Sequence, residues 1–165
     1  MPNKRHSLYK MKGKYIMSRY FELVKDKYRK STGEVILPKR ATKSSVAYDF
    51  YSPIDITIPP MTSVMIWTDI KAKFNENEAL LINIRSSMGK QPVMIANTQG
   101  WIDSDYYSNP ENDGNIGIRL FNLGNTSYIV KSGDRIAQGM FVKYLVADNG
   151  NTDCVRKSGF GSSGR

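Results

Sequence analysis

The chain has 165 residues, enough for one domain with a hydrophobic core. Its net charge of +9 is concentrated at the start, since residues 1–45 hold 13 basic and 3 acidic side chains and the remainder holds 11 and 12. The only cysteine, Cys154, and the only histidine, His6, exclude an intramolecular disulfide, a cysteine zinc cluster, a histidine metal site and a Ser-His-Asp triad.

The first 17 residues are basic and lack a clear hydrophobic period, so we predict a solvated N-terminal arm over residues 1–17. Tyr9 and Tyr15 between the basic residues leave nucleic-acid contact by this arm as the less favoured alternative. No apolar run approaches the length of a membrane span, and no signal-peptide core follows the basic start. We therefore expect no membrane association and a reducing, cytoplasmic setting.

Beyond the arm, short apolar or alternating segments recur and are separated by Gly, Pro and Asn. No window has a sustained 3.6-residue period, and only residues 87–91 could make a helical turn. Many short strands at close spacing favour an all-β fold, an antiparallel sandwich or barrel. Strands are predicted at 19–25, 34–37, 47–51, 55–58, 63–67, 70–74, 80–85, 116–121, 128–130 and 135–146.

The stretch 96–106 carries the most distinctive chemistry. A turn glycine, Gly100, precedes the apolar pair Trp101 and Ile102, and the carboxylates Asp103 and Asp105 follow. Because the apolar pair should be buried, we expect Asp103 to be pulled partly out of solvent. A half-buried carboxylate beside an aromatic can accept a proton from water. The alternative is a β-turn with two solvated aspartates.

Four other segments have unusual compositions. Asp49 is flanked by aromatic residues, and in 85–89 a cation is followed by hydroxyls and free backbone donors, which suits phosphate oxygens. The segment 133–138 combines a turn with charged and amide side chains, and the tail 156–165 places Gly and Ser around a lone Phe. Each has an ordinary alternative: a turn cap, a surface ion pair, a hairpin turn or a flexible linker.

In this order and spacing, the five segments resemble the five motifs of the trimeric dUTP pyrophosphatase (dUTPase) family. The resemblance covers about residues 19–165 and is most specific at 100–106, 133–138 and 159–164. It implies a jelly-roll-like β-barrel over residues 18–155 and a Gly/Ser-rich C-terminal lid over 156–165. It also implies a homotrimer with three active sites, each built from all three subunits.

The implied reaction is hydrolysis of dUTP to dUMP and pyrophosphate, which keeps uracil out of DNA and supplies dUMP for dTMP synthesis. Asp103 matches the family's general base, which orients and deprotonates the water that attacks the α-phosphorus. Asp49 matches the carboxylate that holds water bound to Mg²⁺, and the ion is chelated mainly by the three phosphates. The few hard ligands in the sequence fit such an ion.

The resemblance also implies the substrate contacts. Tyr106 matches the aromatic that packs under the deoxyribose and leaves no room for a 2′-hydroxyl, and Phe160 matches the aromatic that closes over uracil from a neighbouring chain. The other substrate-binding candidates are Arg85, Ser86, Ser87, Asn97, Gly100, Gln138, Arg156, Gly161, Ser162 and Ser163.

Three features depart from the family pattern. Val46-Ala47 stand where Ala-Gly is usual, Ser163 replaces a Thr, and the chain after Tyr106 is several residues longer. The extra residues 108–113 are expected to form an exposed, inert loop near the mouth of the site, with a partner-binding insert as the alternative.

Two other functions remain open at this stage. A dCTP deaminase shares the fold and the triphosphate pocket, but it needs donors for an amino group, and the Gly-x-Ile-Asp-x-Asp-Tyr pattern with the Phe-containing tail favours a dUTPase. A non-catalytic protein could use the basic arm on nucleic acid, but the full motif set argues against loss of catalysis.

Overall fold

A computed structural model describes residues 10–11, 14–15, 19–150 and 156. Short strands dominate this part of the chain, with three 3-10 helices at Asp26–Tyr28, Ser86–Lys90 and Ser104–Tyr106. The strands are β1 (Lys10–Met11), β2 (Lys14–Tyr15), β3 (Tyr20–Leu23), β4 (Lys39–Arg40), β5 (Tyr48–Tyr51), β6 (Ile56–Ile58), β7 (Ser63–Trp67), β8 (Ile70–Lys73), β9 (Glu78–Asn83), β10 (Val93–Ile95), β11 (Gly100–Asp103), β12 (Gly117–Asn122), β13 (Tyr128–Val130) and β14 (Arg135–Lys143).

Each strand pairing in the described residues is antiparallel. One sheet has the order β11-β9-β14-β5-β4 and another the order β10-β12-β7, while β13-β6, β3-β8 and β1-β2 form separate pairs. β14 lies at the centre of the larger sheet, between β9 and β5. Its register shifts between Arg135 and Ala137, at the end where it leaves β5. Because β14 pairs with both neighbours near its start, the ends of β5, β9 and β14 lie close together.

A single hydrophobic core joins the two larger sheets. In β12 the buried residues alternate with more exposed ones, as expected for a strand with one face inward, and Ile118 and Leu120 point into the core. Phe50 and Leu80 from the other sheet belong to the same cluster. Burying one such side chain stabilises the fold by about 1.5–3 kcal/mol, and Leu80→Ala should cost about 2–5 kcal/mol. The predicted all-β class is confirmed.

Most predicted strands are present, but the strand predicted at 34–37 is wrong. This segment pairs with no strand, and Val35 and Ile36 are only half-buried while Leu37 is exposed. A run of three apolar residues before a proline fits an extended loop as well as a strand. Conversely, β10 and β11 were not predicted, and two-residue strands form a hairpin within the predicted arm. The helical turn predicted at 87–91 is present as the 3-10 helix at Ser86–Lys90.

The expectation of an exposed loop at 108–113 holds for Ser108, Pro110 and Glu111 but is wrong for the other three residues. Asn109, Asn112 and Asp113 are each more than nine-tenths buried. The Asn109 and Asn112 side chains satisfy backbone groups of the loop itself, Asp113 accepts from Lys25 N and Lys71 Nζ, and the segment around residues 25–31 packs over them. Polar composition suggested exposure, but these three buried side chains have hydrogen-bond partners inside the protein. No helix among the described residues is long and apolar enough to cross a membrane.

Candidate active site

The first candidate site is a cavity of about 480 Å³ beside β11, which we call the Tyr106 pocket. Five predicted residues line it together: Asn97, Gly100, Asp103, Tyr106 and Arg156. Its other walls include the apolar side chains of Ile82, Ile95, Trp101 and Ile118 and the cation of Arg119. A largely apolar cavity with a few converging polar groups is typical of a small-molecule site.

Strand β11 positions the pocket through its pairing with β9, in which Gly100 lies opposite Ile82 and Asp103 opposite Ala79. A Cβ on Gly100 would lie 3.2 Å from Cβ of Ile82, so the glycine permits the close approach of the two strands. The chain then turns through a 3-10 helix that ends at Tyr106. One strand and the turn that follows it thus deliver a carboxylate and an aromatic ring to the same cavity.

Tyr106 is almost fully buried and held at its hydroxyl. The hydroxyl donates to the Asn115 carbonyl at 2.7 Å and accepts from Asn112 Nδ2 at 2.7 Å. Burial raises the pKa of the Tyr106 phenol, so the hydroxyl remains a neutral donor at neutral pH. The ring therefore presents a fixed face to the pocket.

The expectation that Trp101 is buried and Asp103 half-buried is wrong for the single chain. Trp101 is 61% exposed, and the Asp103 side chain is 59% exposed. In a strand, residues i and i+2 share a face, so Trp101 and Asp103 both point outward while Ile102 packs against the core. Sequence reasoning treated the stretch as a turn and lost this alternation.

Arg156 covers the outward carboxylates. Its guanidinium donates to Asp103 through Nη2 and to Asp105 Oδ1 through Nε, the latter at 2.7 Å. Its Cζ lies 5.9 Å from the centre of the Tyr106 ring. Arg156 is the matched phosphate contact, yet in this chain it lies in the Tyr106 pocket and neutralises the candidate base.

The second candidate site surrounds Arg85, and we call it the Arg85 pocket. Arg85 Nε donates to Asp49 Oδ1 at 2.8 Å, and Arg85 Nη1 donates to Ser87 Oγ at 3.1 Å. Arg135 Nη1 reaches the other Asp49 oxygen at 3.4 Å. The adjoining cavity of about 270 Å³ is lined by Arg85, Ser87 and Arg135, among others. Two guanidinium groups and a hydroxyl beside an open cavity can bind phosphate oxygens.

Strand pairing explains the convergence of these side chains. Gln138 on β14 lies directly opposite Asp49 on β5, and on its other side it lies opposite Asn83 on β9. Gln138 Nε2 donates to the Ile84 carbonyl at 3.2 Å, just before Arg85. Sequence reasoning missed Arg135, although it lies within the segment 133–138. The register of β5 and β14, which no sequence pattern reveals, is what aims Arg135 at Asp49.

The two pockets share no lining residue. The structure thus groups the predicted residues into two sets rather than one site. Ser86 lies exposed on the 3-10 helix next to Arg85. Phe160, Gly161, Ser162 and Ser163 lie outside the described residues. Within the described ranges, no group of three His, Cys, Asp or Glu side chains could hold a metal ion.

Comparisons with known proteins identify relatives of this chain. A profile of the dUTPase family matches residues 33–165. The chain is 36% identical over 149 residues to the deoxyuridine 5′-triphosphate nucleotidohydrolase of Lactococcus lactis subsp. lactis (strain IL1403), covering 88% of this chain and 97% of that protein. It is 37% identical over 142 residues to the enzyme of the same name from Fowlpox virus (strain NVSL), covering 78% and 89%.

A solved structure agrees with these sequence relatives. The crystal structure of the dUTPase from Streptococcus mutans superimposes with a TM-score of 0.71 at 33% identity, covering 79% of this chain and 99% of that chain. The predicted fold type is thereby confirmed.

Proposed function

The chain belongs to the dUTPase family, and from this premise we infer that it is a dUTP diphosphatase, which hydrolyses dUTP to dUMP and pyrophosphate. One observation carries the inference beyond family membership. β11 and the turn that follows it deliver Asp103, a candidate base, and Tyr106, a candidate sugar platform, to one cavity. The enzyme therefore keeps uracil out of DNA and supplies dUMP for dTMP synthesis.

The nucleoside is proposed to bind in the Tyr106 pocket. The fixed ring of Tyr106 lies under the deoxyribose and leaves no room for a 2′-hydroxyl. Asn97 lies at the rim, and Gly100 lets a ligand approach the strand backbone closely. Backbone groups at the edge of this pocket can read the hydrogen-bonding edge of uracil, and a pocket too tight for a methyl group excludes thymine.

Asp103 is proposed as the general base. It orients a water for in-line attack on the α-phosphorus and accepts its proton, while the pyrophosphate leaves on the opposite side. In the described chain its carboxylate is paired with Arg156, so the base is free only after Arg156 turns away. The phosphates of the substrate offer Arg156 a stronger anionic partner, which links substrate binding to activation of the base.

The triphosphate is proposed to bind in the Arg85 pocket. Arg85 and Ser87 line its cavity and are proposed as donors, with Ser86 and Gln138 beside them, and Arg135 adds a second cation that is 46% exposed. Stabilising the charge that develops on the leaving pyrophosphate is the main catalytic task in phosphoryl transfer. Pre-placed guanidinium groups perform it without reorganising solvent.

The donor set of the Arg85 pocket fits Mg²⁺ that is carried by the substrate. Asp49 is the carboxylate between Arg85 and Arg135, and Mg²⁺ typically keeps several waters and binds through one or two carboxylates plus phosphates. Asp49 would hold a water of such an ion once the two arginines turn toward the phosphates. When bound, the ion supplies neutralisation of charge on the phosphate oxygens.

A homotrimer with shared sites is part of the proposal. Its support is the separation of the two pockets, since a site that combines them can take one from each of two neighbouring chains. The exposed Trp101 beside the Tyr106 pocket gives such a neighbour an apolar surface. The tail 156–165, with Phe160 over uracil and 161–163 on the phosphates, is proposed as the lid. We further propose a cytoplasmic enzyme whose arm, 1–17, stays solvated rather than bound to nucleic acid.

A substrate panel tests this function directly. Pyrophosphate release should depend on Mg²⁺ and should be fast with dUTP and slow with dTTP, dCTP and UTP. Light scattering on the same sample should give three times the monomer mass of 18.7 kDa. Deamination of dCTP would favour the rival enzyme class, and a compact monomer with full activity would rule out a shared site.

A further inference from the structure

The loop that follows Tyr106 is a buried polar network. We propose that Asn112 and Asn109 are positioning residues that fix the ring of Tyr106 and thereby sharpen discrimination between deoxyribose and ribose. The inference rests on the proposed function, because it assigns the sugar contact to Tyr106. It goes beyond that function by giving a role to the extra residues of the loop, which separate this chain from the usual family spacing.

Asn112 does not line the Tyr106 pocket, and its side chain is linked to the pocket through the Tyr106 hydroxyl. Its Nδ2 donates to the Tyr106 hydroxyl at 2.7 Å, and its Oδ1 accepts from Asn109 Nδ2 at 2.7 Å and from Gly114 N at 3.0 Å. The amide is more than nine-tenths buried. A buried amide with each of these bonds made has one favourable orientation, because any other leaves a polar group unpaired. The position of the phenol oxygen is therefore set by the loop.

Asn109 fixes the other end of the same residue. Its Nδ2 donates to the Tyr106 carbonyl at 2.8 Å, and its Oδ1 accepts from the backbone N–H groups of Glu111 and Asn112. Gly114, at φ +84°, passes so close that a Cβ there would lie 2.8 Å from the Tyr106 carbonyl oxygen. Tyr106 is thus held at its backbone and at the tip of its ring by one loop.

The network continues from Tyr106 into the opposite side of the barrel. The Tyr106 hydroxyl donates to the Asn115 carbonyl, and Asn115 Nδ2 donates to Asp69 Oδ1 at 2.9 Å. Both Asn115 and Asp69 are fully buried. The Asp69 carboxylate also accepts from the backbone N–H groups of Lys30 and Ser31, at 2.8 and 2.9 Å.

The segment 25–31 closes the loop from outside. Lys25 N donates to Asp113 Oδ2 at 2.9 Å, and Tyr28 Oη donates to the Pro110 carbonyl at 3.0 Å. Lys25 and Tyr28 lie before the part of the chain that the family profile matches, 33–165. The brace on Tyr106 is therefore built from the loop that follows it and from a segment distant in sequence.

A ring that reads the absence of one oxygen atom must be held to within a fraction of an ångström. Removing the donor of Asn112 leaves the phenol oxygen with one partner instead of two and frees the ring to shift. In Asn112→Ala we therefore expect the ratio of kcat/KM for dUTP to that for UTP to fall about three- to tenfold, the scale of one hydrogen bond. The change should appear mainly in KM, since Asp103 and the phosphate contacts are untouched.

Asn122→Ala is the matched control. Asn122 is as buried as Asn112 and braces another turn, donating to the carbonyls of Ile58 and Thr126 and accepting from Gly124 N, and it does not line the Tyr106 pocket. Both variants should melt at lower temperature, but only Asn112→Ala should change the dUTP/UTP ratio. Tyr106→Phe removes the same hydrogen bonds without touching the loop and should lower the ratio as well. Adding Asn112→Ala to Tyr106→Phe should lower it no further.

Each outcome bears on the proposal. A dUTP/UTP ratio that is unchanged in both Asn112→Ala and Tyr106→Phe overturns the brace, and Tyr106→Phe alone decides if Asn112→Ala does not fold. An equal fall in Asn122→Ala also overturns it, because the effect would then be one of general stability. Equal turnover of UTP and dUTP by the unmodified enzyme is a different failure, which removes the sugar gate of the proposed function and the brace with it.

Discussion

Different interactions stabilise the side chains of the Tyr106 pocket and those of the Arg85 pocket. Tyr106 is fixed by neutral hydrogen bonds between buried groups, whose partners Asn112 and Asn115 are satisfied inside the protein. Asp49 in the other pocket is held by two guanidinium groups, one of them nearly half exposed. A satisfied buried network resists rearrangement, whereas the half-exposed Arg135 contributes less to its ion pair and can exchange partners more readily.

This difference matches the two tasks of the enzyme. Selecting a nucleoside needs a fixed surface, because a shift of the ring admits the wrong sugar. Binding a triphosphate needs cations that can leave one anion for another, and in the proposed function Arg85 and Arg135 exchange Asp49 for the substrate phosphates. Asp103 in the Tyr106 pocket is an exception, since its ion pair with Arg156 must also break before it can act as the proposed base.

The largest effect should come from Asp103→Asn, which tests the chemistry at the rigid side. The amide keeps the shape but cannot accept a proton, so kcat should fall by about 10²–10⁴-fold, with dUTP binding largely retained. Stopped-flow and equilibrium binding measurements separate the two quantities. Asp105→Asn is the matched control, because Arg156 contacts both carboxylates. Near-normal kcat in Asp103→Asn would move the base elsewhere, with Asp105 as the next candidate.

Arg85→Ala tests the exchangeable side. Loss of this cation should lower kcat/KM for dUTP about 10²-fold, the scale of removing one donor to the developing charge. Arg85→Lys should recover only part of it, since an ammonium lacks the planar fork of a guanidinium. Lys131→Ala removes an exposed cation paired with Asp55 and should leave kcat/KM unchanged. An equal loss in Lys131→Ala would mean that net charge, rather than the pocket, attracts the substrate.

Deleting residues 158–165 tests whether the two pockets suffice without the tail. Stacking of Phe160 on uracil and donors from 161–163 on the phosphates should together be worth about 10- to 100-fold in kcat/KM. The melting temperature and the oligomeric state should change little, because a Gly/Ser segment buries little apolar surface. Phe160→Ala should show a milder loss. Full activity of the truncated enzyme would remove the lid from the mechanism.

The smallest expected effect is on the acid stability of the buried polar loop that follows Tyr106. Burial alone would raise the pKa of Asp113, but hydrogen bonds from the Lys25 N–H and the Lys71 ammonium outweigh it and leave the pKa below its usual value. The stability this carboxylate contributes is therefore present above its unfolded pKa of about 4 and is lost as the pH falls through the folded value. Asp113→Asn should lower the melting temperature at pH 7 and make it less sensitive to acid. Asp148→Asn, at an exposed carboxylate, should leave the acid profile as it was.

The sequence predicted the strands better than the burial of individual residues. Alternation at 116–121 and the turn residues around it were enough to predict β12. The motif spacing also picked out the five residues that line the Tyr106 pocket together. What failed was burial. Trp101 was expected inside because it is apolar, but it is exposed, and 108–113 were expected outside because they are polar, but three of the six residues are buried.

The reason is that burial depends on partners distant in sequence. Asp113 is buried because Lys71 and the N–H of Lys25 meet it, and neither is near it in the chain. Arg135 belongs to the Arg85 pocket because β14 pairs with β5 in one register. The division of the candidate residues into two pockets likewise follows from sheet order rather than from any motif.

The central claim is that one active site combines the Tyr106 pocket of one chain with the Arg85 pocket of another, and mixing two inactive variants tests it most directly. Asp103→Asn chains lack the base but keep the Arg85 pocket, and Arg85→Ala chains keep the base. Co-expressed with different tags and purified as mixed trimers, they should regain activity. Each mixed trimer then holds one site of three with both intact pockets, so the purified mixed trimers should have about a third of the wild-type specific activity. Mixed trimers that stay as inactive as either parent would show that each chain completes its own site.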